Sequence, residues 1–377
     1  MRGDDLDFKN ITSREGISLE NCVAEYKKEL FKQLKEAGLG PIQEVDKVIQ
    51  ENEIVTAIEG HIEQADVLQE SGKSVGICTS ITAPYRLEAD ISNIKTAAKF
   101  ICALNASASE PENLQRYRVT VPNFSIKEDY NETDLKDKKI ITLRSIGARN
   151  HSGATPMDKR EDAVLGTAKF IEFLSNNPDI QFLETSSAAC GANQINDCCE
   201  VKLAINSENF GQTIPHFLIA QEEAKKIANV QFETIDDITK YDDKTGIFLD
   251  VRQQMGMSSE LTADMIFETI KDIIHQTKCN AYMNITAKGE PYQTNADLVN
   301  LASEICENEE ISYEVLKSWA GHDLATLTKD ELARTILLFC ASIGGSHNPD
   351  ETTTLEAIND LVKVESKLAR ERISKSK

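Results

Sequence analysis

Apolar residues recur at three- and four-residue spacing from Leu19 to Ala37, where Cys22, Val23, Tyr26, Leu30, Phe31 and Leu34 share one face. Gly38 supplies the stop, so a helix is predicted there. The run IVTAI at 54–58, ending at Gly60-His61, predicts a buried strand, and SVGICTSI at 74–81 a second. Further on, the pattern predicts a helix over 91–104, a strand at 117–121, a charged excursion over 124–138 and a strand at 139–144. Thr155-Pro-Met-Asp158 has the form of a capping box with proline at the first helical position, which predicts a helix to about Ser175. Strands are expected near 199–205 and 246–251, then a helix capped by Thr262 and running to about His275. A helix at 296–306, a strand at 335–342 and a terminal helix at 355–370 complete the pattern.

Strands alternating with helices at both ends argue an α/β layer, with a two-layer α+β unit in the middle. The chain shows neither an internal repeat nor a low-complexity linker. Its 377 residues suit two or three domains. With 41 Lys and Arg against 62 Asp and Glu, the net charge is −21, which disfavours nucleic acid and anionic membrane surfaces as partners. The opening MRGDDLDFKN has no apolar core, which predicts no secretory leader, and no stretch is long and apolar enough for a membrane span. Nine scattered cysteines without a CxxC suit reduced thiols, so a cytoplasmic location is expected.

Four of the six histidines lie in dense polar or glycine-rich strings: GHIEQ at 60–64, NHSGATPM at 150–157, AGHD at 320–323 and GGSHNPDE at 344–351. His61 follows a predicted strand end, where a neutral imidazole suits zinc; taken alone it equally suits a hydrogen-bonded strand-end histidine. Glu63 fits either a carboxylate that orients the imidazole or a solvated charge. His151 precedes a predicted helix start, where an oxyanion could be met, and also fits an ordinary loop. His347 sits in a turn-forming string, and His322-Asp323 reads as a His–carboxylate pair or a simple cap. A pairing of His322-Asp323 with a cysteine such as Cys190 is a third, weaker possibility. GxGxxG, GxxxxGK[ST], GxSxG and HExxH are all absent.

Together these strings resemble the zinc-dependent amidohydrolases that include N-carbamoyl-L-amino-acid hydrolase, allantoate amidohydrolase and β-alanine synthase, within the wider aminoacylase-like metallopeptidases. The resemblance also takes in Asp7 with Gly16-Ile-Ser-Leu19, Arg160 with Asp162-Ala163, Asn206-Ser-Glu-Asn209 and Leu249-Asp-Val-Arg252. It implies an α/β catalytic domain with a mixed or parallel sheet and helices on both faces, in two parts at 1–85 and 286–377. Between them it implies an inserted two-layer α+β lid and dimerisation domain at 86–285, with insertions near 86–138 and 211–244. It implies two divalent metal ions, zinc or manganese, with His61 a ligand of one and His347 of the other. His151 resembles the lid histidine that steadies the oxyanion in a partner subunit's site. Asn209 and Arg252 resemble residues gripping the substrate carboxylate, and Gln64 and His322 resemble site-lining positions. The implied substrate is a small linear amide or ureido compound, hydrolysed by water activated between the metals.

The resemblance departs from the family at the start. The family's preceding segment carries a histidine, a bridging aspartate, a metal-binding glutamate and the general-base glutamate, and no counterpart precedes His61. Ala65-Asp66 also stands where the family has Gly-Pro. The expectation is therefore a chain inactive alone, completed by an N-terminal subunit or longer chain, or acting as a homodimer. The alternative is an inactive family remnant that serves binding or dimerisation. A catalytic sheet lacking its first strands would also need a tight partner to stay soluble.

Overall fold

The computed structural model describes residues 56–239, 246–325, 334–344, 346 and 351–375. The predicted helix at 19–37 lies outside these. The chain runs through strand β1 (Thr56–Ile62), helix α1 (Val67–Ser71) and strands β2 (Val75–Ile81) and β3 (Ala83–Ile91). Helix α2 (Ile94–Ser109), strands β4 (Tyr117–Lys127) and β5 (Lys138–Ile146), and helix α3 (Ala163–Leu174) come next. Strands β6 (Ile180–Ser187) and β7 (Cys198–Asn206), helix α4 (Phe210–Ala228) and strands β8 (Gln231–Ile235) and β9 (Gly246–Gln253) follow. Then come helix α5 (Ser259–Thr277), strands β10 (Ala281–Lys288) and β11 (Tyr292–Gln293), and helix α6 (Ala296–Asn308). Strands β12 (Tyr313–Ser318) and β13 (Arg334–Cys340) and helix α7 (Leu355–Lys375) end the series.

Among the described residues thirteen strands build two sheets, giving a mixed α/β fold. The larger has eight antiparallel strands in the order β10-β3-β9-β4-β6-β7-β5-β8. Alternation along β3 sets its two faces: Tyr85, Leu87, Ala89 and Ile91 are buried, while Glu88 and Asp90 point out. The apolar face packs under α2, α3, α4 and α5 in one continuous core that includes Phe100, Phe170 and Phe182. The smaller sheet is mixed. β1 and β13 run parallel, β13 lies antiparallel to β2, and β12 runs parallel to β2 on its other side. Val75, Ile77, Ile336 and Leu338 face helices α6 and α7. Cys78, Leu337 and Phe339 face the other way, onto Leu68 of α1 and Leu324. Helices were expected on both faces; among the described residues the two long ones share one face, and only the five-residue α1 lies on the other. That thinner face holds the polar strings. Both sheets belong to one compact unit, with Thr82 alone linking β2 to β3.

Within the segments expected as insertions, β4 pairs with β9 in the middle of the sheet, and Phe217, Ala220 and Ala224 of α4 enter the core. Two expectations change. The helix expected from Thr155 begins at Ala163, because Asp162 caps it by accepting from Leu165 N–H at 3.0 Å. Ser258, not Thr262, caps α5; the Thr262 hydroxyl is buried and donates to Gln253 Oε1 at 2.5 Å.

Candidate functional site

The polar face of the larger sheet carries a buried charge network. Asp250 on β9 accepts from Arg86 Nε and Arg252 Nε, both at 2.7 Å, and from Ser152 Oγ at 2.8 Å. Burial pushes its carboxyl up, but the two guanidinium groups outweigh this and hold it below the usual aspartate range. Arg118 on β4 stands opposite Arg252 in the register.

The 151–155 loop folds over this face. Gly153 and Ala154 N–H donate to His151 Nδ1 at 3.1 and 2.9 Å. An Nδ1 that accepts carries no proton, so the ring proton sits on Nε2. Arg160 pins the loop to β4, donating to Ser152 O at 2.5 Å and to Val119 O at 2.6 Å. Arg118 donates through Nη1 to Gly153 O and to Ala154 O, the latter at 2.7 Å, and its guanidinium stacks 4.0 Å over the Trp319 ring. Burial lowers its pKa to about 9, with repulsion from Arg160 adding to the effect. The loop also seats against the Trp319 backbone: a Cβ on Gly153 would lie 1.9 Å from Trp319 O. Only glycine fits at that approach.

Beyond Trp319 the chain turns back to the smaller sheet. His322 Nδ1 meets Glu59 Oε1 at 3.3 Å, and its Nε2 meets Ser318 Oγ at 2.9 Å. Burial pushes Glu59 up, but the His322 and Leu324 hydrogen bonds outweigh this and lower its pKa. The His61 ring stands edge-on to His322 at 5.0 Å. His61 Nδ1 lies 2.7 Å from Ile62 O, which places its proton there and leaves the Nε2 lone pair as a possible ligand. Two residues on, Glu63 is 2% exposed and accepts from the N–H groups of Val67 and Leu68 at the start of α1. Burial pushes its pKa up to about 7.

A cleft of about 510 Å³ opens where these segments meet, lined by Glu63 and Gln64, by Asn150 and Ala154–Pro156, by Arg118, and by Ser318–Ala320 with Ser346. Strings far apart in sequence therefore share one wall. Gln64 Oε1 is a buried acceptor there with no hydrogen-bond partner among the described residues. His151 belongs to the same loop but is 2% exposed and does not line the cleft. Arg252, ion-paired to Asp250, lies close to Gly321 and does not line it either. Asn209 sits elsewhere: it donates to Asp179 Oδ1 at 2.7 Å, past the end of β7 remote from the His151 loop. Nine residues of strand place these ends roughly 30 Å apart.

His347 lies outside the described residues; Ile343 and Thr352, on either side of it in sequence, pair through two hydrogen bonds of 2.8 Å. Among the described residues no group of three or more His, Cys, Asp or Glu is arranged to hold a metal. The donor set agrees, since both His322 nitrogens are engaged and His61 offers one. Cys190 lines a separate cavity of about 480 Å³ on the larger sheet, without a histidine, and burial pushes its thiol up to about 12. His322 does not line that cavity, so the two residues suggested as a pair stand at different sites.

Sequence reasoning missed Arg118 and Trp319. The signal for Trp319 was present, as the chain's single tryptophan next to AGHD. Arg118 had none beyond its place in a strand pattern. Among the described residues, no helix is long and apolar enough to cross a membrane.

Allantoate amidohydrolase of Escherichia coli is 39% identical over 75 residues, 20% of this chain and 18% of that protein. An uncharacterized hydrolase of Haemophilus influenzae is 23% identical over 321 residues, 83% of this chain and 53% of that one. These matches cover about half or less of the length of the curated relatives. A hydantoinase/carbamoylase-family amidase from Burkholderia phymatum has 16% identity and a TM-score of 0.40, over 98% of this chain and 64% of that one. The model of Peptidase family M20/M25/M40 matches residues 30–371, and the chain belongs to that family.

Proposed function

We propose that this chain carries the substrate cleft of a hydrolase cutting the C–N bond of a small linear amide or ureido compound, of the N-carbamoyl amino acid or allantoate class. One observation carries the reading: Glu63 and Gln64, Asn150 with Ala154–Pro156, and the Trp319 segment, distant in sequence, line one cleft. In that cleft the orphaned Gln64 Oε1 would accept an N–H of the ureido or amide group. The Nε2–H of His151 is the donor form suited to a developing oxyanion. Its burial means the loop must lift from Trp319 before it acts. A homodimer in which His151 serves the partner's cleft once the loop lifts is part of the same proposal.

Dependence on zinc or manganese is part of the proposal. One imidazole does not hold a metal, so the ligand set must be completed outside the described residues or by a second polypeptide. The test is to purify the full chain with and without a co-expressed neighbouring reading frame that carries HxD and Glu-Glu motifs. Hydrolysis of N-carbamoyl amino acids and allantoate is then followed with zinc or manganese supplied. The expected result is metal-dependent turnover that His61→Ala abolishes. A folded, metal-loaded preparation that hydrolyses neither class would end the proposal.

A further inference from the structure

The cationic groups in and beside the cleft are not equally compensated. Arg252 has Asp250 at 2.7 Å, and Lys159 has Glu70 at 2.5 Å. Arg118 is 7% exposed and has no carboxylate within ion-pair distance among the described residues. Its Nη1 is used by Gly153 O and Ala154 O, and Trp319 covers one face of the guanidinium. The Nε/Nη2 edge has no hydrogen-bond partner among the described residues, and the side chain lines the cleft. That edge presents two parallel N–H donors, the geometry a carboxylate accepts bidentately. The acidic side chains of the same cleft are Glu63, Asp66 and Glu70. Glu70 is paired, and Glu63 is committed to the α1 amides. Asp66 therefore stands against Lys317 and Arg118, which leaves the cleft open to an anion.

Resting on the hydrolase reading above, we infer that Arg118 is the anion-binding residue of this cleft and takes the carboxylate of a small ureido or amide acid on its Nε/Nη2 edge. Asn209 and Arg252 were the expected carboxylate grips, and neither lines the cleft. Arg118 is thereby a specificity-determining residue that separates acids from their neutral amides. Trp319, stacked on it, reports its occupancy.

The experiment uses the full chain and the emission of Trp319, its single tryptophan. N-carbamoylglycine and its neutral carboxamide are titrated into wild type, Arg118→Lys and Arg118→Gln, with calorimetry in parallel and a thermal melt of each variant. The inference expects a saturable change with the acid only, weakened about tenfold or more in Arg118→Gln and partly kept in Arg118→Lys. Equal binding of acid and amide by wild type, no binding of either, or undiminished binding by a folded Arg118→Gln would each overturn it. Binding without turnover in the co-expressed preparation would instead sink the hydrolase reading and leave the anion site standing.

Discussion

In the eight-stranded layer Asp250 is shut away with two guanidinium groups and a hydroxyl, whereas beside the five-stranded layer Glu63 is shut away with two backbone N–H groups at a short helix. The first carboxyl is held below its ordinary range and the second is pushed up to about 7. The difference extends to the apolar packing. The larger sheet has one continuous core under four helices, while the smaller divides its apolar residues between two clusters on opposite faces. Polar groups with incomplete partners among the described residues (the Gln64 carbonyl, the Arg118 edge) gather around the cleft. Buried polar groups cost free energy unless something satisfies them, so this clustering marks where a ligand would stabilise the protein.

The largest expected effect tests the compensated side. Asp250→Ala leaves Arg86 and Arg252 without their shared anion and should cost about 3–5 kcal/mol in denaturant unfolding. A loss below about 1 kcal/mol would mean that the network does not hold the 152 loop and β9 together. Its pH dependence follows from the lowered pKa. The contribution is present above the ordinary aspartate value of 3.8 and is lost as pH falls through the lower folded value.

Glu63 should respond in the opposite sense. Its folded pKa of about 7 exceeds the ordinary 4.5, so ionisation disfavours the folded state. That cost is absent below 4.5, grows between 4.5 and 7, and is complete above 7. Wild type should therefore lose about 3 kcal/mol relative to Glu63→Gln across that window. Parallel stability curves for the two proteins would refute the difference between the regions. The smallest effects test the helix start: Asp162→Ala should cost about 1 kcal/mol, and Thr155→Ala should cost well under that as far as capping is concerned. Equal losses would return the cap to Thr155.

Much of the architecture was legible because periodicity reports burial. The alternation at 139–144 and the apolar run at 335–342 mark observed strands, and the threes and fours at 296–306 mark α6. The α3 start was misread because Thr155-Pro156 satisfies the local rule and opens only a single 3-10 turn at Met157–Lys159, while Arg160 and the Gly153–Trp319 contact hold the stretch before α3 as a loop. The strings in the cleft were legible as chemistry, but their meeting was not, since sheet order brings Gln64, Thr155 and Trp319 together from three parts of the chain. Asn209 shows the converse. It belongs to a motif of the resemblance, yet the direction of β7 carries it to the other end of the strand. Arg118 was invisible because its character comes from what surrounds it, an aromatic face and two carbonyls without a carboxylate.

The most direct test of the account is a crystal structure of the full chain with an N-carbamoyl amino acid. The account predicts the ligand in the cleft of Gln64, Thr155 and Trp319, with its carboxylate on Arg118 and its ureido group toward Gln64. A ligand bound instead in the Cys190–Tyr282 cavity, or a structure in which 62–64 and 150–156 do not share a wall, would contradict it.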